Sequence, residues 1–186
     1  MTGAKAALRL AMRTARGAIS ADLRARAHAG IVASLVDLSA QRGARVVALY
    51  AGSPDEADPS GAARGLVAAG CRVVWPRVAG PGLLEFHDAP ISQLAPGFRG
   101  ILEPPAGAPS VPWAAVDLAV VPGLAFTPDG QRLGQGGGFY DRLLGQSPRP
   151  FAVGVAYALQ LVGELPSEAH DEPVDRVLTE QGFAER

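Results

Sequence analysis

Four short apolar runs decide most of what this chain can become. They are Arg45-Val-Val-Ala-Leu-Tyr50, Arg72-Val-Val-Trp75, Val116-Asp-Leu-Ala-Val-Val-Pro122 and Phe151-Ala-Val-Gly-Val-Ala156. Each is too short for a stable helix and rich in β-branched residues, which predicts strands buried on both faces. Helical spacing fills much of the chain around them. Ala4 to Arg16 reads as a first helix, with Leu8 and Met12 four apart and Lys5, Arg9, Arg13 and Arg16 on a neighbouring face. Ser20 offers an N-cap for a second helix, Ala21 to Arg42, which Gly43 ends. Pro59 fits the first turn of a third helix that runs to Ala69 and stops at Gly70.

The strand–helix alternation predicts an α/β fold: one domain over residues 1–186, three α/β/α layers and a mostly parallel, Rossmann-like central sheet. Ala51 to Asp58 is expected to be a polar loop, and Val78 to Pro112, rich in Pro and Gly, to hold loops and a hairpin. Gly123 to Gly137 reads as one long loop, a short helix is expected to start at Gly138 or Phe139 and end near Gly145, and Val174 to Thr179 reads as the last strand.

Composition narrows the function classes. The chain has 186 residues and a formal net charge of −1, which leaves no electrostatic footprint for nucleic acid or an anionic membrane. Cys71 is the single cysteine, so neither an internal disulfide nor a cysteine metal cluster can form. Cationic residues interrupt the N-terminus, as no signal peptide would have it, and no apolar run is long enough to span a bilayer. A cytoplasmic enzyme or binding protein is the expectation. Basic residues are nearly all arginine; Lys5 is the only lysine.

The segment Arg132-Leu-Gly-Gln-Gly-Gly-Gly-Phe-Tyr-Asp-Arg142 stands out, with four glycines in the five positions 134–138. Backbone N–H groups without side chains can close on an anion, a following helix N-terminus adds its dipole, and Arg132 adds a guanidinium fork. The segment follows the strongest predicted strand, and ligands of such sheets bind beyond the carboxyl ends of strands. It matches neither the G-x-x-x-x-G-K-[ST] nor the G-x-G-x-x-G phosphate pattern. A structural turn with close backbone packing therefore competes with phosphate binding. Asp141 is either a first-turn carboxylate favoured by the helix dipole or a magnesium ligand beside a polyphosphate, with Asp171 or Asp175 as a second carboxylate.

Val121-Pro-Gly-Leu-Ala-Phe126 followed by Gly130-x-Arg132-Leu133-Gly134-x-Gly136-x-Gly138-Phe139-Tyr140-Asp141-Arg142 resembles the signature of the 5-formyltetrahydrofolate cyclo-ligase (methenyltetrahydrofolate synthetase) family. Lys5-x-x-Leu8-Arg9, Ser53-Pro-Asp-Glu56 and Asp171-x-x-Val174-Asp175-x-Val177-Leu178 extend the resemblance over nearly the whole chain. It implies ATP- and Mg²⁺-dependent conversion of 5-formyltetrahydrofolate to 5,10-methenyltetrahydrofolate through a phosphorylated formyl group, with release of ADP and phosphate. On that resemblance Lys5 and Arg9 meet ATP phosphates, and Arg132, Leu133, Gly134, Gln135, Gly136, Gly137, Gly138, Phe139 and Tyr140 wrap them. Ala51 and Glu56 lie in the folate pocket, which Gln135 to Phe139 also border. Arg132, Tyr140 and Asp141 form the catalytic group, and Asp141 and Asp171 serve the metal. The partners implied are the two small molecules, and the chain is expected to be a monomer. Two positions depart from the family pattern: Phe139 stands where a tyrosine is frequent, and Gly137 where some members carry a basic residue. Two other readings suit the glycine segment: a sugar-phosphate isomerase or CoA-transferase-like enzyme, and a non-catalytic nucleotide- or folate-binding protein of the same fold.

Overall fold

A computed structural model describes residues 3–185. In chain order the strands are β1 (Val46–Ala48), β2 (Arg72–Gly80), β3 (Leu83–Asp88), β4 (Ala95–Pro96), β5 (Leu102–Glu103), β6 (Ser110–Val111), β7 (Leu118–Pro122), β8 (Ala125–Phe126), β9 (Arg132–Leu133), β10 (Phe151–Val155), β11 (Arg176–Thr179) and β12 (Gly182–Phe183). The helices are α1 (Gly3–Gly17), α2 (Ala21–Arg42), α3 (Ala62–Ala68) and α4 (Phe139–Leu144). Eight strands make the central sheet in the order β12-β11-β10-β7-β1-β2-β3-β6. The five from β11 to β2 are parallel, and β12, β3 and β6 join antiparallel at the edges. This is the expected α/β class with a mostly parallel sheet.

Both faces of the sheet are covered, as the unalternating apolar runs require. Ile31, Leu35 and Leu38 of α2 and Leu66 of α3 pack on Val47, Leu49, Val73, Leu118, Val120 and Val153. The other face, with Ala48, Val74, Ala119, Val121 and Val177, receives Leu143 and Leu144 of α4 together with Phe86, Trp113 and Phe126. The second helical layer is thus one six-residue helix, completed by loops. Among the described residues no helix is long and apolar enough to cross a membrane.

The second helix has the predicted limits. The Ser20 side chain accepts from the Leu23 N–H, and Gly43 takes the left-handed conformation (φ 62°) that returns its N–H to Ala40. The third starts later than Pro59. The Asp58 carboxylate accepts from the N–H groups of Gly52 (3.0 Å) and Ser60 (2.9 Å), which holds Pro59 to Gly61 in a turn before the helix.

Three other expectations are corrected. The strand read as Arg72 to Trp75 continues through Pro76 to Gly80. Pairing with β1 stops at Val74, so the missing N–H of Pro76 faces no β1 partner, while β3 supports the strand from the other side. The stretch 123–137 is not one open loop, because β8 and β9 pair antiparallel within it (Ala125 with Leu133, Phe126 with Arg132). After the strand expected to be last, Gly182 and Phe183 turn back along β11.

From β1 the chain crosses to β2 on one side; from β7 it crosses to β10 on the other. The carboxyl ends of β1 and β7 therefore flank the topological switch point, where open α/β sheets place their ligands.

Candidate active site

Helix α1 buries the wrong residues for a core helix: its buried positions are Lys5 and Arg16. Desolvating a cation is costly unless it is paired, so the partners of these two explain where α1 sits. The Lys5 ammonium donates to Asp171 Oδ2 (2.6 Å) and pairs with Glu168 Oε2 (3.0 Å). Burial works to lower its pKa, but the bonds and charges of the two carboxylates outweigh that and hold it above 10.5. Arg16 pairs with Asp55 (2.9 Å) and Glu56 (3.4 Å) in the loop after β1. Between them, Arg9 Nε donates to the Gly134 carbonyl (2.9 Å) and Arg13 to Gln135 Oε1 (2.7 Å). One helix face thereby ties three distant segments together: the loop after β1, the glycine segment and the loop before β11.

Asp55 gives this arrangement a pH signature. Burial alone would push its carboxyl up; the hydrogen bond and charge of Arg16, with the Ser53 hydroxyl, outweigh it and hold the group below 3.8. A carboxyl so depressed stabilises the fold above its unfolded value, and that contribution is lost as pH falls through the lower folded value. Arg16→Met removes the cause. The difference in urea stability between wild type and Arg16→Met is expected to be clear at neutral pH and to shrink on acidification through 3.8. A difference that stays constant over that range would show that Asp55 is not held by Arg16.

The glycine segment walls two adjoining clefts. The first, of about 680 Å³, is lined by Lys5, Arg9, Arg132, Arg142, Leu133, Gly134, Gly136, Gly137, Gly138, Asp141 and Asp171, with Glu168, His170 and Glu172 at its acidic side. Arg9 Nη1 and Arg132 Nε are buried without a hydrogen-bond partner. An unsatisfied buried guanidinium nitrogen is expensive, and two beside one cleft suit an anion that completes them. Helix α4 has only six residues and a left-handed glycine (Gly138, φ 66°) as its cap. The expected dipole contribution is correspondingly small.

The second cleft, about 380 Å³, is mainly apolar and aromatic, with Tyr50, Ala51, Pro76, Val78, Leu84, Phe98, Phe139 and Tyr140 in its wall. Glu56 is its polar anchor point, fixed by the Ser53 N–H at 2.9 Å and by Arg16 and the Gln135 amide at 3.4 Å each. Burial pushes the Tyr140 phenol well above its ordinary pKa, although Arg132 acts in the opposite sense, so it stays protonated as a donor. Phe139 meets Phe98 edge-on (ring centroids 6.2 Å apart). A Cβ at Gly137 would stand 2.8 Å from the Phe139 ring, so a larger residue at 137 requires that ring to move. The two departures from the family pattern are therefore in contact with each other.

The clefts share Arg132, Gly134, Gly137, Gly138 and Asp141. Arg132 Nη2 donates to Asp141 Oδ1, which places a buried ion pair on the common wall. Of the residues expected around phosphate, Gln135, Phe139 and Tyr140 line the second cleft and not the first. Asp175 accepts from both Arg149 Nη groups (2.9 and 3.0 Å) and from the Ala152 N–H, and lines neither cleft; of the two carboxylates expected to accompany Asp141, Asp171 is the one that lines the first cleft. Sequence reading gave no role to Arg142, although it ends the glycine motif, and missed Glu168, His170, Phe98 and Arg99. None of these four sits in a run with a periodic or motif signal, and only the fold brings them here.

Comparison with known proteins adds an independent line. Residues 1–180 match the model of the 5-formyltetrahydrofolate cyclo-ligase family. The chain is 37% identical over 142 residues to the 5-formyltetrahydrofolate cyclo-ligase of Escherichia coli K12, covering 73% of this chain and 78% of that one. It is 32% identical over 178 residues to that of Haemophilus influenzae, covering 92% and 95%. Among solved structures, Aquifex aeolicus 5,10-methenyltetrahydrofolate synthetase superposes with a TM-score of 0.85 at 32% identity, covering 97% of this chain and 92% of that one. A Mycoplasma pneumoniae protein of the same name shares the fold (TM-score 0.78, 23% identity, 95% and 98% covered).

Proposed function

This chain belongs to the 5-formyltetrahydrofolate cyclo-ligase family, and from that premise we propose that it converts 5-formyltetrahydrofolate to 5,10-methenyltetrahydrofolate with ATP as phosphoryl donor. The observation that supports the reading is the meeting of a cleft lined by charges of both signs, with two unsatisfied guanidinium nitrogens beside it, and an aromatic cleft along Arg132–Asp141. A reaction that moves a phosphoryl group onto a flat heterocyclic substrate needs such a junction. An isomerase of sugar phosphates would have no use for the aromatic cleft.

In this scheme Lys5, Arg9 and Arg132 neutralise the triphosphate, and the N–H groups of Gly134 to Gly138 approach its oxygens unshielded. The pterin lies on Phe139 and Tyr140, with its donor edge toward Glu56. The formyl oxygen attacks the γ-phosphorus while the β–γ bridging oxygen leaves with ADP. N10 then adds to the activated formyl carbon, the C–O bond breaks, and phosphate departs with the N10 proton. Phosphoryl transfer of this kind is governed by positioning and charge neutralisation, which is what buried, ion-paired side chains supply.

The carboxylates suit magnesium. Asp141 accepts from Arg132 through Oδ1 alone, and Asp171 accepts from Lys5 and the Glu168 N–H through Oδ2 alone. Among the described residues this leaves one oxygen of each without a hydrogen-bond donor, and magnesium takes one or two such carboxylates beside phosphate oxygens. Bound there, the ion would draw charge from the phosphate oxygens. The reading takes the protein as a single-domain monomer, acting in the cytoplasm on two small molecules.

The deciding experiment mixes purified protein with 5-formyltetrahydrofolate, ATP and Mg²⁺ and follows the methenyl chromophore. Product that forms equally well without ATP, or no product with it, would overturn the proposal. Lys5 supplies a narrower test. Lys5→Ala removes the cation and leaves Asp171 and Glu168 facing the phosphates. The KM for ATP is expected to rise about tenfold to a hundredfold, with the folate KM nearly unchanged. Equal changes in both would place Lys5 outside the nucleotide cleft.

A further inference from the structure

Three carboxylates and two arginines line the aromatic cleft. Its three carboxylates each have a cation: Glu56 has Arg16 (3.4 Å), Glu103 has Arg77 (3.7 Å) and Asp141 has Arg132. One lining cation is left over. Arg99 makes no hydrogen bond or ion pair with any described residue; its guanidinium rests 5.1 Å above the ring of its own neighbour, Phe98.

Its backbone is also exceptional. Among the described residues Arg99 is the one non-glycine with positive φ (φ 55°, ψ 27°). A side chain in the left-handed region is strained, and such outliers concentrate at ligand clamps. The turn that holds it is closed by Gly97 N–H to the Ile101 carbonyl (2.8 Å) and by the β4–β5 ladder. Phe98 and Ile101, 41% and 40% exposed, flank the cation at the cleft mouth.

A ligand that fits this rim is an aromatic group that carries its negative charge beyond the ring. On the reading that the cleft holds the pterin, the remaining half of the substrate, a p-aminobenzoyl group amide-linked to glutamate, has this order of parts. We propose that Phe98, Arg99 and Ile101 form a subsite for that half, in which Phe98 and Ile101 receive the benzoyl ring and Arg99 the glutamate carboxylates. Phe98 already touches Phe139 edge-on, so the subsite continues the pterin platform outward.

The test compares 5-formyltetrahydrofolate with 5-formyltetrahydropteroate, which lacks the glutamate. Arg99→Gly removes the charge and also relieves the positive φ, so the variant is not lost to misfolding; Arg99→Ala serves as its partner. For both variants the KM for 5-formyltetrahydrofolate is expected to rise about fivefold, the worth of one exposed ion pair. The KM for the pteroate compound and for ATP should not move, and added salt should erode the wild-type preference for the glutamate form. Equal shifts for both folate compounds, or none, would overturn the subsite. If wild type forms no methenyl product from either compound, the reaction reading has failed. The subsite is then decided by direct binding, monitored through thermal shift. A glutamate preference of about fivefold in wild type that is absent in Arg99→Gly supports it, and equal binding of the two compounds to wild type overturns it.

Discussion

Asp141→Asn is expected to lower kcat by about two to three orders of magnitude while the chain stays folded. The carboxylate stands on the wall common to both clefts, with one oxygen on Arg132 and the other without a protein donor. Asparagine keeps the shape and can still offer Arg132 its carbonyl oxygen. It cannot offer a charged oxygen to a hard cation, and it leaves the 7%-exposed Arg132 without its counter-charge. Removing a partner from a buried ion pair outright costs about 3–5 kcal/mol; the retained hydrogen bond should keep the loss below that. Two measurements decide the matter. Thermal unfolding should show a cooperative transition, and a magnesium titration should recover part of the lost kcat. Turnover close to wild type at low Mg²⁺ would mean that Asp141 orients Arg132 and holds no metal.

What could be read from the sequence, and what could not, follows from how local each feature is. Ser20 and Gly43 mark the ends of α2 because capping involves residues three or four apart. The apolar runs give the strands because burial on both faces leaves its mark in every residue. The glycine segment, Arg132 and Asp141 stand together within ten residues of chain, so the junction of the two clefts was legible as a motif. The rest of the site joins residues remote in sequence. Lys5 meets Asp171 and Arg9 meets Gly134 across 166 and 125 positions. Helical spacing put Arg16 on a polar face with Lys5, Arg9 and Arg13, and nothing local says that Arg16 is buried against Asp55. Pro76 hid the length of β2 because the rule against proline in strands depends on which neighbour is missing. Arg99 carried no signal at all. Its meaning lies in the absence of a polar partner among the described residues, at the mouth of a cleft drawn from six or more segments, and in a backbone angle.

The glycines at 134–138 allow a cradle and a tight turn alike, and Gly136→Val separates the two. Gly136 has φ 100°, and a Cβ there would meet nothing closer than Arg9 Cζ at 3.7 Å. The space is open, so the substitution acts through backbone strain and through a branched side chain standing in the cleft. Strain in this region costs about 1–3 kcal/mol, and each kcal/mol lowers the melting temperature of a chain this size by about 2–4 °C. Gly43→Val is the matched control. It too has positive φ (62°) with nothing within 4 Å, but it caps α2 far from the cleft in function. Both variants are therefore expected to melt a few degrees early. ATP with Mg²⁺ at a hundred times its Kd stabilises a binding-competent protein by about 2.7 kcal/mol through mass action. Wild type and Gly43→Val should gain that shift in full. Gly136→Val should lose most of it, because the isopropyl group stands beside Arg9 where a phosphate oxygen would complete the unsatisfied Nη1. If Gly136→Val is instead protected as well as the control, the glycine serves the turn alone. The phosphates must then be held by Lys5, Arg9 and Arg132 without the backbone of residue 136.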